Sequence, residues 1–264
     1  QTLTGENYWS IDQEVRKIFD VNPDVKYIFR CLDYNMVLKN KTDYNYDNVP
    51  TYLYDDNPFN DVQYIFNKDV LLDDTLEVIK YNLQGGKSTD MDTYSEWGSL
   101  YPSGRKAVLS NYRIPQKKAE VQKEFSEKDA QNVRKNVEEN VLDMVKAHPD
   151  TTFYFYTPPY SVVWWYARQC SGNLLRYFEA EKLQAEMLLK YDNVKLYSFA
   201  DMFDLTQNLD NYKDDKHYNA EISEKIIDWI YEGTGLITKE NYEERINKME
   251  DFYLNQVSES SFSE

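Results

Sequence analysis

Cysteine and histidine are the scarcest reactive residues here, two of each in 264 residues. Two cysteines are too few for a structural zinc site. Cys31 lies in an apolar run and Cys170 follows an aromatic segment, so they are expected to be separate thiols rather than a bridge. No run of 18 apolar residues occurs, which excludes a membrane-spanning helix within these residues. There is no GxxxxGK(S/T) phosphate loop, no GxGxxG, no HExxH, no GxSxG and no CxxC. The acidic clusters "YDDNPFND" and "TDMDTY" lack the calcium-loop pattern. The expectation is therefore a protein with neither metal nor organic cofactor.

Positive charge is also short: 30 Lys and Arg stand against 46 Asp and Glu, a net charge of −16. The basic residues form no stripe, so nucleic acid and anionic lipid are not expected as partners. No signal peptide is recognisable, yet the first residue is Gln rather than Met. Residue 1 is thus expected to be a boundary with further segments upstream. What is abundant is tyrosine, with 24 residues, many of them in the first third.

Short β-rich runs alternate with helical stretches. "VKYIFRCL" from Val25 follows the turn signal "NPD"; "TTFYFYT" from Thr151 lies between "HPD" and "PP"; "VKLYSF" from Val194 follows "YDN". Between them, "SEKDAQNVRKNVEENVLDMVKAH" opens with the capping pair Ser126 and Asp129 and continues an apolar face through Val133, Val137, Val141 and Met144. "NLLRYFEAEKLQAEMLLKY" places Leu174, Phe178, Ala185 and Leu188 at helical spacing. Helices "IDQEVRKIF" and "AEISEKIIDWIYEG" flank the series. This order predicts a single three-layer α/β/α domain over residues 1–264 with a mostly parallel sheet and sites at the carboxyl ends of its strands. Residues about 84–125 lack a period and read as a surface excursion; residues about 238–256 read as a C-terminal helix.

His148, in "KAHPD", reads as a solvent-facing residue at a helix end. His217 differs. It follows the third strand after a polar loop, three residues beyond Asp214. A carboxylate at that spacing can orient an imidazole that takes a proton from a nucleophile. The same spacing also occurs by chance in the loop before a helix.

The stretch "NYKDDKHYN" resembles the C-terminal D-x-x-H block of SGNH/GDSL-type hydrolases and their acyltransferase relatives. "PDVKYIFRCLDYN" resembles the strand that ends in their G-x-N-D block, and "QTLTGENYWS" the earlier segment whose Gly donates to an oxyanion hole. "TFYFYTPPYS" resembles a Pro-Pro-Tyr-Ser segment of the branch that includes the teichoic-acid D-alanyl transfer protein and alginate O-acetyltransferases. The resemblance spans nearly the whole chain through the order of short motifs.

The resemblance implies that Asp214 orients, that His217 is the general base and that Gly5 sits at the oxyanion position. Asp33 stands where the family has its oxyanion Asn, and an ionised carboxylate cannot donate there; either Asp33 is protonated, or Asn35 substitutes, or the hole uses backbone groups only. The family's first strand, with its nucleophilic Ser, is expected upstream of Gln1; neither Ser10 nor Ser161 is promoted to that role. Ser161 reads as a helix N-cap or a pocket-lining residue. Tyr160 and Trp164 are the candidate sugar-stacking residues, against the commoner use of aromatics in cores. The implied activity is hydrolysis or transfer of an acyl ester on a carbohydrate or teichoic-acid-like polymer, at the outer face of a bacterial membrane reached through an upstream anchor. The alternative is a non-catalytic glycan- or protein-binding module on the same fold.

Overall fold

A computed structural model describes residues 7–39, 51–87, 101–113, 115 and 118–262. Residue contacts divide the chain into two compact units, one of Gln1–Gly5 with Tyr44–Trp97, the other of Glu6–Asp43 with Gly98–Glu264. In the first unit, short helices Val62–Ile65 and Thr75–Leu83 flank a π-helical turn, Asp69–Asp74, and none of the three buries a residue.

The second unit is an α/β structure around a four-stranded, mostly parallel sheet. Its first helix, α1 (Tyr8–Val21), starts at Asn7, whose side chain accepts the Ser10 N–H in a capping box. Strands β1 (Tyr27–Cys31), β2 (Thr152–Thr157) and β3 (Val194–Ser198) then run parallel in the order β1-β2-β3. All three fall within the segments chosen for β-branched and aromatic content. A two-residue strand, β4 (Leu236–Ile237), adds antiparallel to β3. It is too short to carry a period-2 pattern, and was not anticipated.

Alternation along the strands sorts side chains between two faces. Ile28, Phe153, Phe155, Val194 and Leu196 join one core with Tyr8, Val15 and Phe19 of α1. Helices α3 (Glu127–Val137) and α5 (Leu174–Leu188) complete that layer. All of Val133, Val137, Val141, Met144, Leu174, Phe178, Ala185 and Leu188 are buried, as their spacing predicts. Ser126 and Asp129 form the capping box of α3, which continues through a π-turn, Glu138–Leu142, into Asp143–Ala147. The opposite face of the sheet packs Tyr197 and Phe199 against Ile222, Ile226 and Ile230 of α6 (Ala220–Glu232). Helix layers therefore lie on both faces, an arrangement compatible with three-layer α/β/α architecture.

Between these layers the sheet is open at one edge. The Thr152 N–H donates to Lys26 and the Leu32 N–H to Tyr156, so even-numbered residues of β1 bond to β2. The backbone groups of Tyr27, Phe29 and Cys31 consequently point to the outer edge, where no strand pairs among the described residues.

Two shorter helices carry the chain across the carboxyl side. Helix α2 (Tyr34–Val37) follows β1, and α4 (Val162–Cys170) follows β2. Helix α7 (Tyr242–Asp251) lies within the expected C-terminal helix, which finishes as a π-turn, Phe252–Gln256.

His148 corrects its expectation of solvent exposure. It is half-buried at the end of Asp143–Ala147, with its ring stacked on Phe19 at 3.5 Å between centroids. The Phe19 partner lies on α1, too distant in sequence for local pattern to reveal. His148→Ala is expected to cost about 1 kcal/mol through loss of this pair, read as a melting temperature lower by about 2–4 °C. An unchanged melting temperature would show that the stack contributes nothing.

Candidate functional site

The residues singled out for chemistry come from three connections at the carboxyl ends of the parallel strands. They are the turn from β1 into α2, the Pro158–Ser161 turn from β2 into α4, and the loop from Tyr212 to Tyr218 after β3.

In the third connection, Asp214 Oδ2 lies 2.6 Å from His217 Nδ1. Asp214 Oδ1 accepts the backbone N–H of Lys216 at 2.9 Å and of His217 at 2.7 Å. The carboxylate thus closes its own turn and orients the ring in one step, which local spacing alone can specify. Burial pushes the Asp214 carboxyl up, but hydrogen bonds from the His217 ring and the two backbone N–H groups outweigh it and bring the pKa to about 2. An ionised Asp214 selects the imidazole tautomer with the proton on Nδ1 and the lone pair on Nε2. His217 is exposed and Asp214 half-buried, so the dyad is within reach of solvent.

The loop is pinned to the β2–α4 turn. Its ends are joined by the bridge between Tyr212 and Tyr218 and by the Lys213 N–H donating to the His217 carbonyl at 2.8 Å. The Tyr212 hydroxyl donates to Pro159 O at 2.6 Å, and the Ser161 hydroxyl donates to Asp215 O at 2.6 Å. The Tyr218 hydroxyl lies near that of Tyr156 at the end of β2. Tyr156 in turn contacts the Cys31 thiol.

Burial, then the nearby Asp33 charge, hold the Cys31 thiol well above its ordinary pKa, so it remains a thiol at neutral pH and a poor nucleophile. Tyr218 is likewise held up by burial and by Cys31, with a smaller contribution from Asp33. These effects bring residue 218, next to His217, near the carboxyl end of β1.

Asp33 caps α2: its Oδ1 accepts the Asn35 N–H at 2.7 Å, and its Oδ2 accepts the Tyr160 hydroxyl. Both oxygens therefore act as acceptors, which gives Asp33 no donor role toward an oxyanion. Asn35 sits half-buried in the first turn of α2 beside it. Gly5, the expected oxyanion glycine, lies outside the described residues.

The aromatic and hydroxyl candidates are packed inside the protein. Trp164 is 1% exposed, with the Arg168 guanidinium 4.6 Å above its ring and Tyr160, Trp165 and Tyr177 around it. Its ring faces are filled, so it serves packing and not a ligand. Tyr160 is buried too and presents its hydroxyl to Asp33. Ser161 occupies the N-cap position of α4 but makes no side-chain cap bond, because its hydroxyl is directed at Asp215. Ser10 is buried in the α1 capping box. Sequence reasoning passed over Tyr156, Tyr212 and Tyr218; the signal for Tyr218 was its adjacency to His217, and for Tyr156 its place near a strand end.

Among the described residues no three or more His, Cys, Asp or Glu side chains converge to hold a metal ion. Within the same residues no helix is long and apolar enough to cross a membrane. No family model, curated protein or solved structure matches the chain. A functional reading rests on the geometry of the site and on the motif order of the sequence.

Proposed function

We propose that the chain is the α/β domain of an SGNH-like acyl-ester hydrolase or O-acyltransferase, acting on hydroxyl groups of a cell-envelope glycan or teichoic-acid-like polymer. The Asp214–His217 hydrogen bond carries this reading, because it fixes the imidazole as a base at the carboxyl edge of a parallel sheet. In the proposed reaction His217 Nε2 removes the proton from a serine hydroxyl as its oxygen attacks the ester carbonyl. Collapse of the tetrahedral species breaks the bond to the leaving alcohol, which takes the proton back from the imidazolium. A seryl ester remains. Water or an acceptor hydroxyl then repeats the cycle and releases the acyl group. No step requires a metal or organic cofactor.

Ser10 and Ser161 are buried and committed to other partners, so neither supplies the nucleophile in this reading; a serine on a further strand is proposed for that role. The open outer edge of β1 is where an added parallel strand finds unpaired backbone groups. A membrane anchor on the outer face of a bacterial cell, separate from that strand, belongs to the same proposal. The two committed serines also favour the second reading, a glycan- or protein-binding module that retains the dyad without a nucleophile.

The test is to treat the protein, as its gene encodes it, with p-nitrophenyl acetate and follow both p-nitrophenol release and the intact mass. A burst, together with a mass gain of one acetyl group on a serine, is the expected result. Glycan binding with no acyl-enzyme and no turnover would leave the binding module as the reading.

A further inference from the structure

We propose that Ser161 is a positioning residue for the Asp214–His217 dyad, acting as a clamp that holds the dyad loop against the β2–α4 turn. This rests on the reading of His217 as the base. Four observations support it.

First, the hydroxyl forgoes its local use. An N-cap serine ordinarily accepts an N–H from its own helix. Ser161 has the extended backbone of an N-cap, φ −65° and ψ 158°, yet makes no such bond. The N–H groups of Trp164 and Trp165 are taken by its carbonyl instead, at 3.0 and 3.3 Å. Second, the hydroxyl donates at 2.6 Å to Asp215 O, 54 residues away and one residue beyond Asp214. The Ser161 N–H reaches the same carbonyl at 3.3 Å, so one residue grips one peptide unit twice. Third, Ser161 is 0% exposed. No water can replace the lost donor from bulk solvent, and the clamp acts without competition. Fourth, a parallel tie exists where Tyr212 donates to Pro159 O at 2.6 Å. The same turn holds the loop at Tyr212 and at Asp215; Asp214 lies between the two ties and His217 two residues beyond the second.

A carbonyl held at Asp215 fixes the peptide plane that follows, whose N–H is that of Lys216 bonded to Asp214 Oδ1. The Ser161 clamp is therefore two covalent steps from the hydrogen bonds that aim the orienting carboxylate. Releasing it lets the Asp214 turn rotate, and the imidazole with it.

The test uses the full chain with three readouts: the His217 Nδ1–H proton resonance by NMR, acyl-ester kinetics, and melting temperature. In Ser161→Ala the downfield ring proton is expected to broaden by faster exchange. The rate constant kcat is expected to fall about tenfold, the equivalent of one net hydrogen bond, with KM unchanged. Tyr212→Phe removes the parallel tie without touching Ser161 and should broaden the ring proton in the same way. It carries the test if Ser161→Ala does not fold. A ring proton signal identical to wild type in the folded variants would overturn the clamp, whatever happens to the melting temperature. Because that signal needs no turnover, a protein that hydrolyses nothing but shows the broadening would retain the clamp and lose the esterase reading.

Discussion

Replacing His217 with Ala is expected to lower acyl-ester turnover by about 10²–10⁴-fold, the usual contribution of a positioned general base. Melting temperature should barely move, because the His217 ring is exposed and its backbone bonds remain. Asp214→Asn should cost less than His217→Ala. An Asn side chain can still accept the two backbone N–H groups, but its amide can donate to Nδ1 and favour the wrong tautomer. Since the Asp214 carboxyl has a pKa of about 2, it is ionised throughout the neutral range and contributes no inflection there to the pH profile. His148→Ala serves as the control for removing an imidazole, with turnover intact despite its small stability cost. Equal turnover in wild type and His217→Ala would discard the mechanism.

The second large effect concerns stability and comes from a carboxyl outside the dyad. Glu181 of α5 is 6% exposed beneath the carboxyl ends of β2 and β3. Its Oε1 lies 3.3 Å from Thr157 Oγ1, which bonds Ser198 Oγ at 2.9 Å. Its Oε2 has no hydrogen-bond partner among the described residues. The adjoining cavity of about 10 Å³ has room for one water at most. The nearest guanidinium, Arg245, is already engaged with Asp201 through bonds of 2.6 and 2.8 Å. Burial pushes the Glu181 carboxyl up to about 8, with Thr157, Arg245 and Tyr34 opposing and Asp201 reinforcing.

The direction of the pH effect follows. Between the ordinary value of 4.5 and about 8 the unfolded chain gives up this proton and the folded chain keeps it. Stability therefore falls as pH rises across that window and levels off above it. The full difference is of order 5 kcal/mol. Glu181→Gln cannot ionise, so the variant should gain on wild type by several kcal/mol at pH 8 and lie level with it or slightly below at pH 4.5. Urea unfolding of both proteins at several pH values measures the difference. Parallel stability curves over the window would show that Glu181 is ionised in the folded protein.

Legibility of the fold depended on how local each cause was. β1, β2 and β3 announce themselves by a few consecutive β-branched or aromatic residues between turn signals. The α3 capping box is written in four residues, and the Asp214–His217 pair in another four. Contacts that span the chain leave no such mark. Asp33 meets Tyr160 across 127 positions. Nothing near Asp33 predicts that its carboxylate is satisfied by a tyrosine rather than aimed at a substrate. Trp164 shows the converse limit: an aromatic after a strand end has the same local signature whether it lines a groove or fills a core, and only the surrounding side chains decide. β4 was illegible because two residues define no period; its position depends on Arg245, which donates to the carbonyls of Gly235, Leu236 and Ser198.

That Arg245 anchor has a consequence for the order of assembly during synthesis. β1 emerges from the ribosome more than a hundred residues before β2, its first sheet partner, so its apolar residues must wait, exposed, while the residues between them are made. The residue that ties β3 to β4 and holds Asp201, Arg245, emerges later still, in the first turn of α7. The carboxyl edge of the sheet, including the dyad loop, is therefore among the last regions to gain its final geometry. A nascent chain stalled before residue 245 would hold all the proposed catalytic side chains of this domain without the frame that aims them.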